Sequence, residues 1–108
     1  MEKSKVVNLL IDKTKNNSLV WKYLEASNDS NDPNEYFETS NEFLKIIAFT
    51  NYSTSTLSLD IYLLENDILY LSIPDIENYE LYRSILEQIE KNEALDLKNR
   101  LEEIIKLL

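Results

Sequence analysis

The sequence predicts an α+β fold: an N-terminal helix, an antiparallel sheet of three or four strands, and two C-terminal helices packed on one sheet face. Two observations support this class. Apolar residues recur at helical spacing in the first fifteen positions and again after residue 75. Between these segments, stretches that alternate apolar and polar residues are separated by turn-forming residues. At 108 residues the chain is expected to form one domain, 1–108.

Residues 2–15 are expected to form the first helix. Their apolar residues form one narrow stripe, and lysines occupy much of the remaining surface. The stripe consists of Val6, Val7, Leu10 and Ile11. The following "NNS", residues 16–18, should end this helix. Asparagine adopts the left-handed backbone conformation of a helix end more readily than most residues, and the chain contains no glycine for that position.

The next segment, "SLVWKYLE", alternates in a way that is typical of a strand, with Leu19, Trp21 and Tyr23 on one face. Trp21 is the only tryptophan of the chain and follows directly after the turn. We expect its indole to be a structural anchor that packs the first helix against the sheet.

Residues 25–42 contain six carboxylates and no cation, and are expected to form a partly flexible acidic loop and strand region. An extended segment should follow over 36–52, bent near residues 40–42. The stretch 57–63 alternates, with its leucines and isoleucine facing inward. "END", residues 65–67, is expected to be a tight turn into a strand over 68–73, which Pro74 should end.

The period becomes helical from residue 75 to the C-terminus. One apolar stripe contains Tyr82, Ile85, Leu86 and Ile89, and a second contains Leu97, Leu101, Ile104, Ile105 and Leu108. Asn92 could end one helix and Asp96 could cap another, so two helices are predicted in place of one of about thirty residues.

The composition excludes several classes of function. The chain has no glycine, histidine or cysteine, so glycine-rich nucleotide loops, thiolate or imidazole zinc sites and disulfides are impossible. We expect no catalytic residue, no metal site, no cofactor and no enzymatic activity. Because the net charge is −9, direct contact with nucleic acid or an anionic membrane is not expected. No apolar run is long enough to span a membrane and no signal peptide is recognised, so a cytoplasmic location is expected.

The run "LIDKTKNNSLVW", residues 10–21, resembles the opening of a group of small proteins from phages and integrated elements of Gram-positive bacteria. In that group a helix is followed by threonine, a few residues with a glycine, an apolar residue and tryptophan. The similarity continues through "YFETSNEFLKI" (36–46), the strand segments and residues 79–108. Here Asn17 or Ser18 stands where the group has glycine. The resemblance implies a fold and a genomic setting but no activity.

Three functions remain open from the sequence. The leading hypothesis is a non-enzymatic protein–protein interaction module, such as a mobile-element inhibitor of a host protein. Candidate interface residues are Tyr62, Tyr70, Glu87 and Glu90, because tyrosines are enriched at interfaces and the glutamates would suit a basic partner. One alternative is an acidic mimic of nucleic acid that blocks a DNA- or RNA-binding enzyme. The other is a small ligand-binding or carboxylate-based enzyme domain. The apolar "IIKLL" at 104–108 must pack on the sheet or on another copy, so a homodimer is also compatible with the sequence.

Overall fold

The computed structural model describes residues 2–24, 34–51, 53–77 and 79–108. Along the chain its elements are α1 (Glu2–Lys15), β1 (Lys22–Leu24), β2 (Tyr36–Ser40), β3 (Leu44–Asn51), β4 (Thr56–Leu63), β5 (Ile68–Ile76) and α2 (Glu80–Leu107). The strands form one antiparallel sheet in the order β1-β2-β3-β4-β5, so each pairs with its neighbour in sequence. The α+β class and the N-terminal helix are confirmed, whereas the predicted numbers of strands and of C-terminal helices are wrong.

The sheet has five strands because the expected bend near residue 40 is a complete chain reversal. The side-chain oxygen of Asn41 accepts hydrogen bonds from the backbone N–H groups of Phe43 and Leu44, both at 2.8 Å. This asparagine holds a tight turn without glycine or proline, so β2 and β3 pair as a hairpin. Within the predicted acidic region, β2 therefore occupies residues 36–40, while residues 25–33 lie outside the described residues.

Pro74 does not end the last strand, because β5 continues to Ile76. The pairing with β4 shifts register between Leu57 and Leu59, so that Pro74 and Asp75 form a bulge, and Asp75 has a φ of 56°. Since β5 is an edge strand, proline can occupy it without removing a hydrogen bond from the centre of the sheet.

The C-terminal segment is one helix of 28 residues, not two. The predicted break at Asn92 does not occur because a cap-forming residue inside a helix costs only a fraction of a kcal/mol, and no glycine or proline interrupts this segment. Asp96, the predicted cap, instead pairs with Arg100 one turn later at 3.1 Å.

The core lies between one sheet face and the two helices. The cross-strand row of Phe37, Ala48, Leu59 and Ile73 is buried, and it clusters with apolar side chains of α1 and of the first three turns of α2. The ring of Phe37 contacts that of Tyr82 on α2, with 6.0 Å between centroids. Among the described residues, the second half of α2 contributes nothing to this core.

A buried polar network fixes the chain between α1 and β1. Gln88 accepts a hydrogen bond from the backbone N–H of Trp21 and donates to the carbonyls of Thr14 and Leu19, at 2.6–2.8 Å. The indole N–H of Trp21, whose side chain is in the core at 3% exposure, donates to the Thr14 hydroxyl. The turn itself depends on Asn17, which has a φ of 61° as the sequence predicted for this helix end. One glutamine of α2 thus joins the end of α1 to the segment that enters the sheet.

Candidate interaction surface

Six large apolar side chains are exposed at one end of the sheet. We call this surface the edge patch, and it consists of Phe43, Leu64, Ile68, Leu69, Tyr70 and Leu71. Phe43 and Tyr70 are the most open, at 72% and 71% exposure. The two turns that contribute to the patch are adjacent, because the backbone N–H of Leu64 donates to the carbonyl of Phe43 at 2.9 Å. Ile68 and Leu71 pair with Leu63 and Ile61, whereas Leu69 pairs with Tyr62, so the patch extends over both faces of the strand. Large exposed apolar surfaces mark interaction sites on soluble proteins.

Most of the edge patch belongs to β5, which within the described part of the chain has a hydrogen-bonded neighbour on one side only. The N-terminal turn of α1 contacts the second half of this strand, where the ammonium group of Lys3 donates to the carbonyl of Pro74 at 3.2 Å. The first half, residues 68–71, carries no charge and no proline. Natural sheets usually protect their edges with charges, prolines or very short strands, and an unprotected apolar edge can pair with another chain.

The opposite edge of the described sheet has that protection. β1 has only three residues, and Lys22 within it forms an ion pair with Glu38 of β2 at 3.5 Å. Val20 and Tyr23 are exposed at this edge too, but β5 is the longer of the two edge strands and lacks charge over residues 68–71.

The predicted residues Tyr62 and Tyr70 lie together at the edge patch. Tyr62 on β4 pairs in register with Leu69, and Tyr70 is the extra residue of a bulge at this position, because Ile61 pairs with Leu71. A β-bulge redirects side chains at a sheet edge. Here it leaves the ring of Tyr70 exposed.

Among the residues that the structure describes, one ion pair borders the edge patch. Lys45 forms a salt bridge with Asp67 in the turn before β5, and its ammonium group lies 4.7 Å from the centre of the Tyr62 ring. The hydrogen bond that the ammonium group of Lys45 donates to the Asp67 carboxylate raises the pKa of Lys45 above its usual value. The charge of this lysine is therefore held beside the patch rather than directed into solvent.

The predicted residues Glu87 and Glu90 lie on α2 and are not part of the edge patch. Glu87 borders a groove with Lys15 and Lys91 at the end of α1. Glu90 lies near Tyr23 of β1, where burial, followed by Glu35, Glu93 and Glu90, raises the pKa of the tyrosine. Since β1 and β5 are opposite edges of the sheet, the structure divides the four predicted interface residues between two surfaces.

The described residues contain no cluster of three or more acidic side chains that could hold a metal ion. No helix in the described part of the chain is long and apolar enough to cross a membrane. Comparison with family models, curated proteins and solved structures finds no match to this chain.

Sequence reasoning identified Tyr62 and Tyr70 but missed the apolar residues around them. "ILYL", residues 68–71, consists of four consecutive apolar residues. A strand with one face on the core and one face in solvent would instead alternate apolar and polar residues. This lack of alternation directly after a turn was the feature of the sequence that could have predicted the exposed apolar residues of β5. The exposure of Phe43 and Leu64 depends on the contact between the turn before β3 and the turn after β4. No local sequence pattern predicts that contact.

Proposed function

We propose that the protein is a non-enzymatic protein-binding module that contacts its partner through the edge patch. The observation that supports this most directly is the first half of β5, an uncharged apolar strand at an open sheet edge. An extended segment of a partner can add to such an edge as a further strand. Its backbone would pair with residues 68–71, and its side chains would contact Tyr70, Leu69 and Leu71.

The chemistry of the edge patch favours an apolar partner segment over a charged one. Glu42 and Glu65 are exposed beside Phe43 and Leu64, but residues 68–71 carry no charge, and the nearby Lys45 is already paired with Asp67. Binding should therefore depend on buried apolar area and main-chain hydrogen bonds, and should resist moderate salt. Acidic mimicry of nucleic acid would behave in the opposite way, because affinity based on many charge contacts falls steeply with salt.

The resemblance to proteins of phages and integrated elements supports a more specific version of this proposal. In such a setting the module would bind a protein of the host cell and inhibit it. The partner segment would then be a strand or loop that the host protein leaves accessible.

The experiment is an affinity capture from host lysate at about 50 mM and about 200 mM salt, a range over which charge-based binding weakens strongly. The test variant is Tyr70→Lys, which places a charge on the open edge. The matched control is Val20→Lys, since Val20 is also an exposed apolar residue but lies before β1. Far-UV circular dichroism verifies that both variants fold.

We expect one partner to be retained by the wild type and by Val20→Lys at both salt concentrations, and to be lost from Tyr70→Lys. Retention of the partner by Tyr70→Lys would show that the edge patch is not the contact surface. A nucleic-acid-binding partner that dissociates at the higher salt would replace the proposal with mimicry. Failure to retain any partner would count against a binding function.

A further inference from the structure

The second half of α2 extends beyond the body of the protein. Every residue from Glu93 to Leu108 is exposed, which corresponds to about 22 Å of helix without contact to the core. This segment, which we call the distal helix, nevertheless has seven large exposed apolar side chains: Leu95, Leu97, Leu101, Ile104, Ile105, Leu107 and Leu108. An isolated helix of this length is marginally stable in water, so its apolar residues require a covering surface.

The body of the same chain cannot provide that surface. An α-helix returns to the same angle after 18 residues, so Asn99 and Glu103 lie on the face of Leu81 and Ile85, which are buried in the core. On the side that faces the core, the distal helix is therefore polar at Asn99 and Glu103, and Leu107, the last residue of the helix and on the face of Ile89, is the exception. Leu101 lies roughly 160° around the helix from Ile85, so its apolar stripe points away from the body.

The stripe has the spacing of a coiled coil. Ala94, Leu97, Leu101, Ile104 and Leu108 are separated by alternating steps of three and four residues. This repeat places one narrow apolar seam along a helix, and a second helix with the same seam is its natural complement. Ile105 widens the seam on one side near its end, at a position that flanks the contact between two paired helices.

We infer that the distal helices of two copies of this chain pair in parallel as a short coiled coil. Two observations favour a second copy in this orientation. Glu93 and Lys98 flank the stripe, are five residues apart, and form no ion pair with another described residue. In a parallel pair, residues at these positions on the two helices lie next to each other, so Glu93 of each copy meets Lys98 of the other.

The direction of the stripe also suits this arrangement. Because the stripe points away from the body, the two bodies would lie on the outer flanks of the paired helices and would not collide. The seam contains only two heptads, so the dimer should be weak and depend on concentration. It would present two edge patches, and a partner with two binding segments would bind more tightly than to a single copy.

The test is sedimentation equilibrium of the full chain from low micromolar to several hundred micromolar concentration. We expect a reversible monomer–dimer equilibrium for the wild type. Leu101→Lys should raise the dissociation constant at least tenfold, while Leu95→Lys should leave it nearly unchanged. The two leucines are a matched pair, at 52% and 57% exposure in the same helix, but Leu95 lies outside the stripe. Lysine and leucine have similar helix propensities, so neither variant should unfold the helix.

A monomer at all concentrations, or a dimer that persists in Leu101→Lys, would overturn the inference. Dissociation of the dimer by Tyr70→Lys would overturn it too, because the edge strands would then form the dimer contact. Failure of the dimer and failure of the proposed function are distinguishable. The dimer is tested by the mass of the purified chain, and the proposed function by the retention of a different protein.

Orientation is tested by Leu108→Cys, which is the only thiol in a chain without cysteine. Parallel helices bring the two thiols together and should give a disulfide-linked dimer on mild oxidation. Antiparallel helices would separate them by about 20 Å and prevent the link, which would contradict the parallel arrangement. As an independent check, Glu93→Lys and Lys98→Glu should each weaken the dimer several-fold, and the double exchange should restore it.

Discussion

Replacing Gln88 with leucine should destabilise the protein strongly, although it introduces an apolar side chain of similar size into the core. The amide of Gln88 bonds to three backbone groups. After the change, the carbonyl of Thr14 keeps a hydrogen bond from the N–H of Asn17 at 3.2 Å. The N–H of Trp21 and the carbonyl of Leu19 lose their only hydrogen bonds among the described residues.

The expected cost follows from these two groups. An unsatisfied buried donor or acceptor costs about 1–3 kcal/mol, so Gln88→Leu should lower the free energy of unfolding by about 4 kcal/mol. This is a large part of the roughly 5–15 kcal/mol that stabilises a typical domain. The midpoint of thermal unfolding should fall by roughly 15–30 °C.

The assay is urea and thermal unfolding, monitored by far-UV circular dichroism. Glu87→Leu is the control, because it introduces the same side chain at the adjacent, exposed position and should change stability by about 0.5 kcal/mol or less. A loss below about 1 kcal/mol for Gln88→Leu would refute the reasoning, since the backbone groups would then have found other partners.

Two further predictions concern aromatic residues. Trp21→Ala should cost about 3–5 kcal/mol by the same assay, and the wild-type emission maximum should be that of a buried indole; a solvent-exposed spectrum would contradict the core position. The NMR signal of the Tyr23 ring carbon that bears the hydroxyl should report a titration midpoint above pH 10.0. Glu93→Gln should lower this midpoint. Because the folded state holds this proton more tightly than the unfolded state, the stability that it contributes is complete below pH 10 and decreases as the pH rises through the folded pKa. An unshifted midpoint would show that the tyrosine is fully solvated.

Local signals predicted the first helix and its end well, whereas the strand predicted over residues 18–25 is only Lys22–Leu24 in the structure. The bounds of α1 and the left-handed residue after it follow from a short apolar stripe and from Asn17, both of which act within one or two turns. The hairpin between β2 and β3 was recognised only as a bend, because Asn41 performs a reversal that usually has a glycine or proline signature. Local preference also failed at Asn92, where its small cost is outweighed by the helix on either side.

The candidate surface was less predictable because it depends on distant parts of the chain. Tyr70 could be named as a candidate interface residue from composition, but its position on the edge of the described sheet depends on the order of all five strands. Gln88 had no signal at all. Its role comes from contacts with residues more than 65 positions earlier in the sequence.

Amide hydrogen exchange of the protein, free and bound to its captured partner, tests the proposed binding mode most directly. If a partner segment pairs with the open edge of β5, exchange at Ile68–Leu71 should slow on binding, while exchange in the proximal half of α2, including Ile85, should not change. Unchanged exchange at Ile68–Leu71, together with slower exchange elsewhere on the surface, would show that the edge patch is not where the partner binds.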